Sequence, residues 1–193
     1  MSKLPAYTSE LPAKFQSPAS GVRGAIDSLV QSSLVQLFGA YNVAVAPLPR
    51  LPQHHPAPIL DISASVGLSR RGAGTPGRLT LSAPSELLQG MSRGPSGGRA
   101  LLGDWARELA NQLAGRIKNR MLQFNVKLDV GTSHIVDSKV LASQLAISPS
   151  VRVYPGRTLR GEVLVSLTGM PEEAALTFVG PAHVANEGAV ILF

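Results

Sequence analysis

The chain of 193 residues and 20.2 kDa has room for one medium domain or two very small ones. Hydrophobic residues make up 44% and charged ones 16%, which excludes full-length disorder, and the absence of cysteine excludes disulfide scaffolds, thiolate zinc sites and thiol nucleophiles. Eighteen basic against twelve acidic side chains give +6, a balance that favours acidic partners, while only 5% aromatic content leaves little for a stacking platform, so nucleic acid is not the expected partner.

In chain order, residues 1–18 carry three prolines and no sustained apolar period, and read as a mobile arm ahead of a single domain over 19–193. Val22, Ile26, Leu29, Val30, Leu34, Leu37 and Phe38 recur at three- and four-residue spacing, which predicts an amphipathic helix stopped at Gly39. Asn42 to Ala46 reads as a strand, followed by the proline-rich loop Pro47 to Pro58. Alternation from Ile59 to Leu68 predicts a second strand, and Arg78 to Ser82 a third. Pro84 opens a short helix from Ser85 to Met91, and Gly94 to Gly98 is a flexible connector. A long helix then runs from Leu101 to Met121, with a strand at Phe124–Val126 and another at Gly161–Ser166.

The second part of the chain echoes the first. Leu109, Leu113, Ile117 and Met121 fall 83 positions after Ile26, Val30, Leu34 and Phe38, and Phe124-Asn125-Val126 falls at the same offset from Tyr41-Asn42-Val43. Gly161 to Ser166 echoes Gly77 to Ser82 at an offset of 84. Two amphipathic helices align somewhere by chance, but three separated elements agree here. The order helix, strand, strand, strand thus occurs twice, in pseudo-repeat halves at about 21–92 and 101–169, and predicts an internally duplicated α+β domain with two long helices on a largely antiparallel sheet.

Several motifs point nowhere. Gly72-Ala73-Gly74-Thr75-Pro76-Gly77 matches the spaced glycines of dinucleotide loops, yet a strand follows where phosphate binding needs a helix N-terminus, so a hairpin turn is expected. His54 and His55 point apart on extended backbone, His134 and His183 are remote, and no carboxylate is spaced as a third ligand, so no metal site is expected. The serines lack a nucleophile-elbow context. No apolar run approaches the roughly 20 residues of a membrane helix. Residues 1–16 lack the apolar core of a signal peptide, so a cytoplasmic protein without membrane attachment is expected.

The informative segment is the long helix. At about 100° per residue, Leu102, Trp105, Ala106, Leu109, Leu113, Ile117 and Met121 gather on one half, and Asp104, Glu108, Asn111, Gly115 and Lys118 on the other. Glu108 and Asn111, three apart, stand side by side. A mid-helix glycine costs roughly 1 kcal/mol relative to alanine. Two readings are open: an ordinary solvated face with an incidental glycine, or a face that something approaches closely at Gly115.

Glu108-Leu109-Ala110-Asn111-Gln112-Leu113-Ala114-Gly115, on a long helix preceded by Asp104, resembles the signature helix of the CheX branch of the CheC/CheX/FliY chemotaxis phosphatases. The element order from about Gly21 to Gly169 is similar to that family's duplicated fold. The resemblance implies a bacterial chemotaxis phosphatase acting on the aspartyl phosphate of a CheY-like response regulator. It implies Glu108 and Asn111 as catalytic residues, and Gly115, Asp104, Gln112 and Lys118 as partner-docking residues. The protein would need no cofactor of its own, since Mg2+ comes with the phosphorylated receiver domain, and it would form a homodimer. In the first helix the positions at offset 83 are Ala25 and Ser28, which cannot do this chemistry. That single site is similar to CheX rather than CheC. The alternative on the same fold is a non-catalytic module that binds a receiver or assembles with a motility complex. The proline-rich loop, the Ser138 to Ser148 stretch and the extension Glu173 to Phe193 have no counterpart in the family pattern. Arg107, Arg116, Lys118 and Arg120, clustered about the Glu108 face, are expected to steer an acidic receiver surface.

Overall fold

Among the described residues six strands form one sheet in which every neighbouring pair is antiparallel. The computed structural model describes residues 24–52, 60–70, 76–91, 98–147 and 150–181. Over these the elements are α1 (Ala25–Gly39), β1 (Ala46–Pro47), β2 (Ile62–Arg70), β3 (Gly77–Ala83), α2 (Ser85–Met91), α3 (Arg99–Met121), β4 (Leu128–Val136), α4 (Ser138–Ile147), β5 (Arg152–Thr158) and β6 (Gly161–Thr168). The expected N-terminal arm, most of the proline-rich loop with His54 and His55, the turn at 71–75, the connector at 94–97 and the extension beyond 181 with His183 lie outside the described residues.

The strand order, β1-β5-β6-β3-β2-β4, reads the same backwards when β1, β2 and β3 are exchanged with β4, β5 and β6. The duplication is therefore a two-fold pattern of the sheet. β3 and β6 meet at its centre, and each half sends its first strand to the far side: β1 lies beside β5, and β4 beside β2. The α+β class, the two long helices and the antiparallel sheet stand as expected.

The helices form because their apolar spacing matches one sheet face. Ile26, Val30, Leu34, Leu37 and Phe38 of α1, and Leu109, Leu113, Ile117 and Met121 of α3, are each fully buried. They pack on Ala64, Val66, Leu79, Leu81, Val163, Val165 and Leu167, which share that face by two-residue alternation. Asp27 at the start of α1 accepts from the buried Tyr154 hydroxyl at 2.8 Å and lies 3.5 Å from Arg50 and 3.9 Å from Arg152. Burial first, and the Asp27 carboxylate second, push the Tyr154 phenol well above the ordinary tyrosine range. Glu173 completes the network, 3.4 Å from Arg152 and accepting from the Gly24 amide at 2.6 Å, which ties the segment after β6 to the first turn of α1.

α1 ends at Gly39 as expected, and the chain turns out of it at Asn42, in the left-handed conformation at φ 60°, with Asn42 N–H bonded to Gly39 O and Val43 N–H to Phe38 O, both at 3.0 Å. Two expectations need correction. Asn42 to Val45 is consequently not strand, and β1 keeps only Ala46–Pro47. Phe124–Val126 is likewise a helix exit: Asn125 sits at φ 56°, with Asn125 N–H to Leu122 O and Val126 N–H to Met121 O, and β4 begins at Leu128. Ser138 to Ile147, to which the sequence assigned no element, is a helix, begun by Asp137, whose Oδ1 accepts from the amides of Lys139 and Val140 at 2.8 and 3.2 Å. Through Leu141 and Leu145 it covers the second sheet face, so Ser63, Ser65, Thr80, Ser82 and Ser166 are buried. Four of them satisfy each other there: Ser63 to Ser82 at 2.8 Å and Ser65 to Thr80 at 3.0 Å.

Candidate functional site

The 23 residues of α3 make it the longest described helix, and its sheet-facing stripe is sealed. Its other side carries Asp104, Glu108, Asn111, Gly115 and Lys118 at spacings of four, three, four and three, one continuous row along the helix. Glu108 is exposed and Asn111 half-exposed beside it. The expected grouping is therefore present, on backbone held rigid by the core. Trp105 departs slightly from its expected place: it is half-buried at the stripe's edge, against Tyr41, with ring centroids 5.2 Å apart and planes at 84°.

The docking candidates divide. A Cβ built on Gly115 would meet no atom of the described residues within 4 Å, so among them the space above this glycine is open and none demands its missing side chain. Lys118 stands one turn further on, half-exposed. Asp104 is exposed but paired with Arg107 one turn along. Gln112 is engaged within the chain. Its Nε2 donates to Glu108 Oε1 at 2.8 Å, and its Oε1 accepts from Tyr41 Oη at 2.9 Å, so both ends of the amide are occupied within the chain.

The steering set is also smaller than expected. Arg107 is neutralised by Asp104. Arg120 reaches α1, donating to Ser32 Oγ and Gln36 Oε1, and so braces the two long helices against each other. Arg116 is engaged within the chain as well. Lys118 is left as the cation of the row that a partner would meet.

Beside the row lies a groove of about 870 Å³ between the N-terminal half of α3 and the edge strand β4, lined among others by Asp61, Arg99, Arg107, His134 and Lys139. Asp61 is spent there on α2: its carboxylate accepts from the Ser85 amide at 3.0 Å and the Ser85 hydroxyl at 2.9 Å, and these bonds hold it below the usual carboxylate range. Among the described residues no group of three or more His, Asp or Glu side chains is arranged to hold a metal ion, and no helix is long and apolar enough to cross a membrane.

Sequence reasoning missed Tyr41, which it placed ahead of a strand. The signal was available: at offset 83 Tyr41 aligns with Phe124, so the first half carries a hydroxyl that the second half lacks.

No protein-family model matches the sequence, and no curated protein matches it. In three dimensions the chain is similar to a CheC-like superfamily protein from Shewanella sp. PV-4, with TM-score 0.61 and 16% identity over 74% of this chain and 96% of that one. It is similar to the chemotaxis protein CheX from Vibrio vulnificus, with TM-score 0.60 and 16% identity over 75% and 98% of the two chains. The CheX–CheY–BeF3–Mg complex from Borrelia burgdorferi matches with TM-score 0.52 and 12% identity over 74% and 94%. At these identities the likeness is one of fold, and that fold is the CheC/CheX one.

Proposed function

We propose that this chain accelerates loss of the phosphoryl group from the aspartyl phosphate of a CheY-like receiver domain, with Glu108 and Asn111 as the catalytic pair. One observation carries the reading: a carboxylate and a carboxamide stand side by side on the exposed row of a rigid helix, one turn before a glycine with open space above it. At the mirror positions of α1 stand Ala25 and Ser28, so the fold does not require the pair. The CheX fold, solved elsewhere in a complex with CheY, supports the choice of partner.

Hydrolysis of an acyl phosphate needs a water held in line with phosphorus and stabilisation of the charge spread over the phosphoryl oxygens. A receiver's own Mg2+ and lysine supply most of the second, so a partner contributes chiefly position. The Asn111 carboxamide oxygen accepts a hydrogen bond from the attacking water without changing protonation. Water oxygen bonds to phosphorus, the bond from phosphorus to the aspartyl oxygen breaks with its electron pair going to the restored carboxylate, and both water protons end on the phosphate, which leaves as dihydrogen phosphate. The Glu108 carboxylate pairs with the receiver's lysine and fixes the docking register. Gly115 admits the receiver close to the helix, with Lys118 and the Asp104–Arg107 pair at the rim. The metal arrives with the substrate.

The test is phosphate loss from an acetyl-phosphate-labelled CheY-like receiver with and without the chain. Asn111→Ala leaves binding intact and lowers hydrolysis by roughly two orders of magnitude, the size expected when water positioning is lost. Glu108→Ala weakens docking and rate together. An Asn111→Ala variant working at the original rate overturns the catalytic assignment and leaves α3 as the face of a binding module.

A further inference from the structure

Exposed glutamates are ordinarily mobile at three side-chain torsions, and a catalytic one would have to be ordered each time a partner docks. Glu108 already has a partner within the chain. Its Oε1 accepts from Gln112 Nε2 at 2.8 Å, one helical turn along, and Gln112 Oε1 in turn accepts from Tyr41 Oη at 2.9 Å. Tyr41 follows α1, 71 positions earlier in the chain. Its ring is half-buried, packs on the main core and meets Trp105 edge-on. Packing therefore fixes the phenol, the phenol fixes the amide, and the amide fixes the carboxylate. A carboxamide suits the middle place because it accepts at one end and donates at the other.

The mirror half sharpens the point. At offset 83 the counterparts of Tyr41, Gln112, Glu108 and Asn111 are Phe124, Leu29, Ala25 and Ser28. Hydroxyl, bridging amide and carboxylate are all absent together where the catalytic pair is absent. If Gln112 and Tyr41 merely held the halves together, the two-fold fold would have equal use for them on both sides.

We infer that Tyr41 and Gln112 are positioning residues for Glu108. They commit Oε1 to the protein and leave Oε2 as the oxygen a partner's cation meets. The hydrogen-bonded chain stands on geometry alone; its effect on catalysis rests on the phosphatase reading proposed above.

Two kinds of measurement separate the two. Tyr41→Phe keeps the ring and its Trp105 contact and deletes only the hydroxyl; Gln112→Leu deletes the amide at similar size. Nitrogen relaxation of the Gln112 side-chain amide, compared with that of exposed Gln144, reads the positioning without any substrate. In the intact protein the Gln112 amide is as ordered as the backbone, and in Tyr41→Phe its order falls toward that of Gln144. With a labelled CheY-like receiver, Tyr41→Phe and Gln112→Leu each lower kcat/KM by roughly tenfold, as when the support of a site residue is removed. The double variant is no slower than Gln112→Leu, because the hydroxyl acts only through the amide. A Gln112 amide as mobile as Gln144 in the intact protein overturns the inference, as do Tyr41→Phe and Gln112→Leu effects that multiply in full. If Asn111→Ala leaves phosphate loss unchanged, the phosphatase reading falls and the relaxation data still decide the positioning chain.

Discussion

Asn42 and Asn125 stand 83 positions apart, hold the same left-handed backbone, and end their helices with the same two hydrogen bonds. The correspondence between the halves thus extends from the helical stripes to their caps. Only glycine and, less readily, asparagine enter this region cheaply. Asn42→Gly and Asn125→Gly are therefore expected to leave stability nearly unchanged. Asn42→Ala and Asn125→Ala should each cost about 1 kcal/mol, read as a shift in urea midpoint at constant slope. Equal and negligible costs for all four would mean that the caps do not end the helices.

Gly115 offers a separation of fold from function. With nothing within 4 Å of an added Cβ, Gly115→Ala should raise stability by about 0.5 to 1 kcal/mol through helix propensity alone. Gly115→Leu should keep the fold, by circular dichroism and unfolding, while slowing receiver dephosphorylation roughly tenfold or more by holding the partner off the row. Full activity in Gly115→Leu would return the glycine to an incidental place on a solvated face.

Tyr154 sets an alkaline limit. Its folded phenol titrates above the unfolded value, because burial and the Asp27 carboxylate disfavour phenolate. The sign follows: the stabilisation is complete below the unfolded tyrosine range near pH 10 and is lost as pH rises above it. Unfolding followed at stepped pH should show the wild type losing stability more steeply above about pH 10 than Tyr154→Phe does. At pH 8 the variant should be less stable by about 1 kcal/mol, for the hydrogen bond it lacks. Parallel curves for the two proteins would contradict the assignment.

Much of this was legible in the residues. Helical periodicity is local, so α1, α2, α3 and the polar row from Asp104 to Lys118 could be read directly, and β3 and β6 stood out by alternation and offset. What escaped depends on distant neighbours. The serines of β2 alternate with apolar residues as if facing water, and only α4 lying over them shows that they are buried and paired. The engagement of Gln112 escaped because nothing local announces a hydroxyl arriving from 71 positions away. Arg120 looked like a steering charge for the same reason, with its acceptors on α1. The catalytic candidates were readable because a carboxylate and an amide one turn apart make a local pattern, whereas their support is tertiary.

The exchange of outer strands has a consequence during synthesis. Ala46 waits for Arg157, more than a hundred residues downstream, and the apolar stripe of α1 waits for a sheet completed by β5 and β6. At ordinary elongation rates of about 5 to 20 residues per second, that interval lasts roughly 5 to 20 seconds. A duplicated chain whose copies folded independently would bury its first half before the second was made. Here the nascent first half leaves the ribosome with its interior uncovered, and the second copy must arrive to close it. Interdependence of the copies is thus traded for a period during synthesis in which an apolar face lacks its cover.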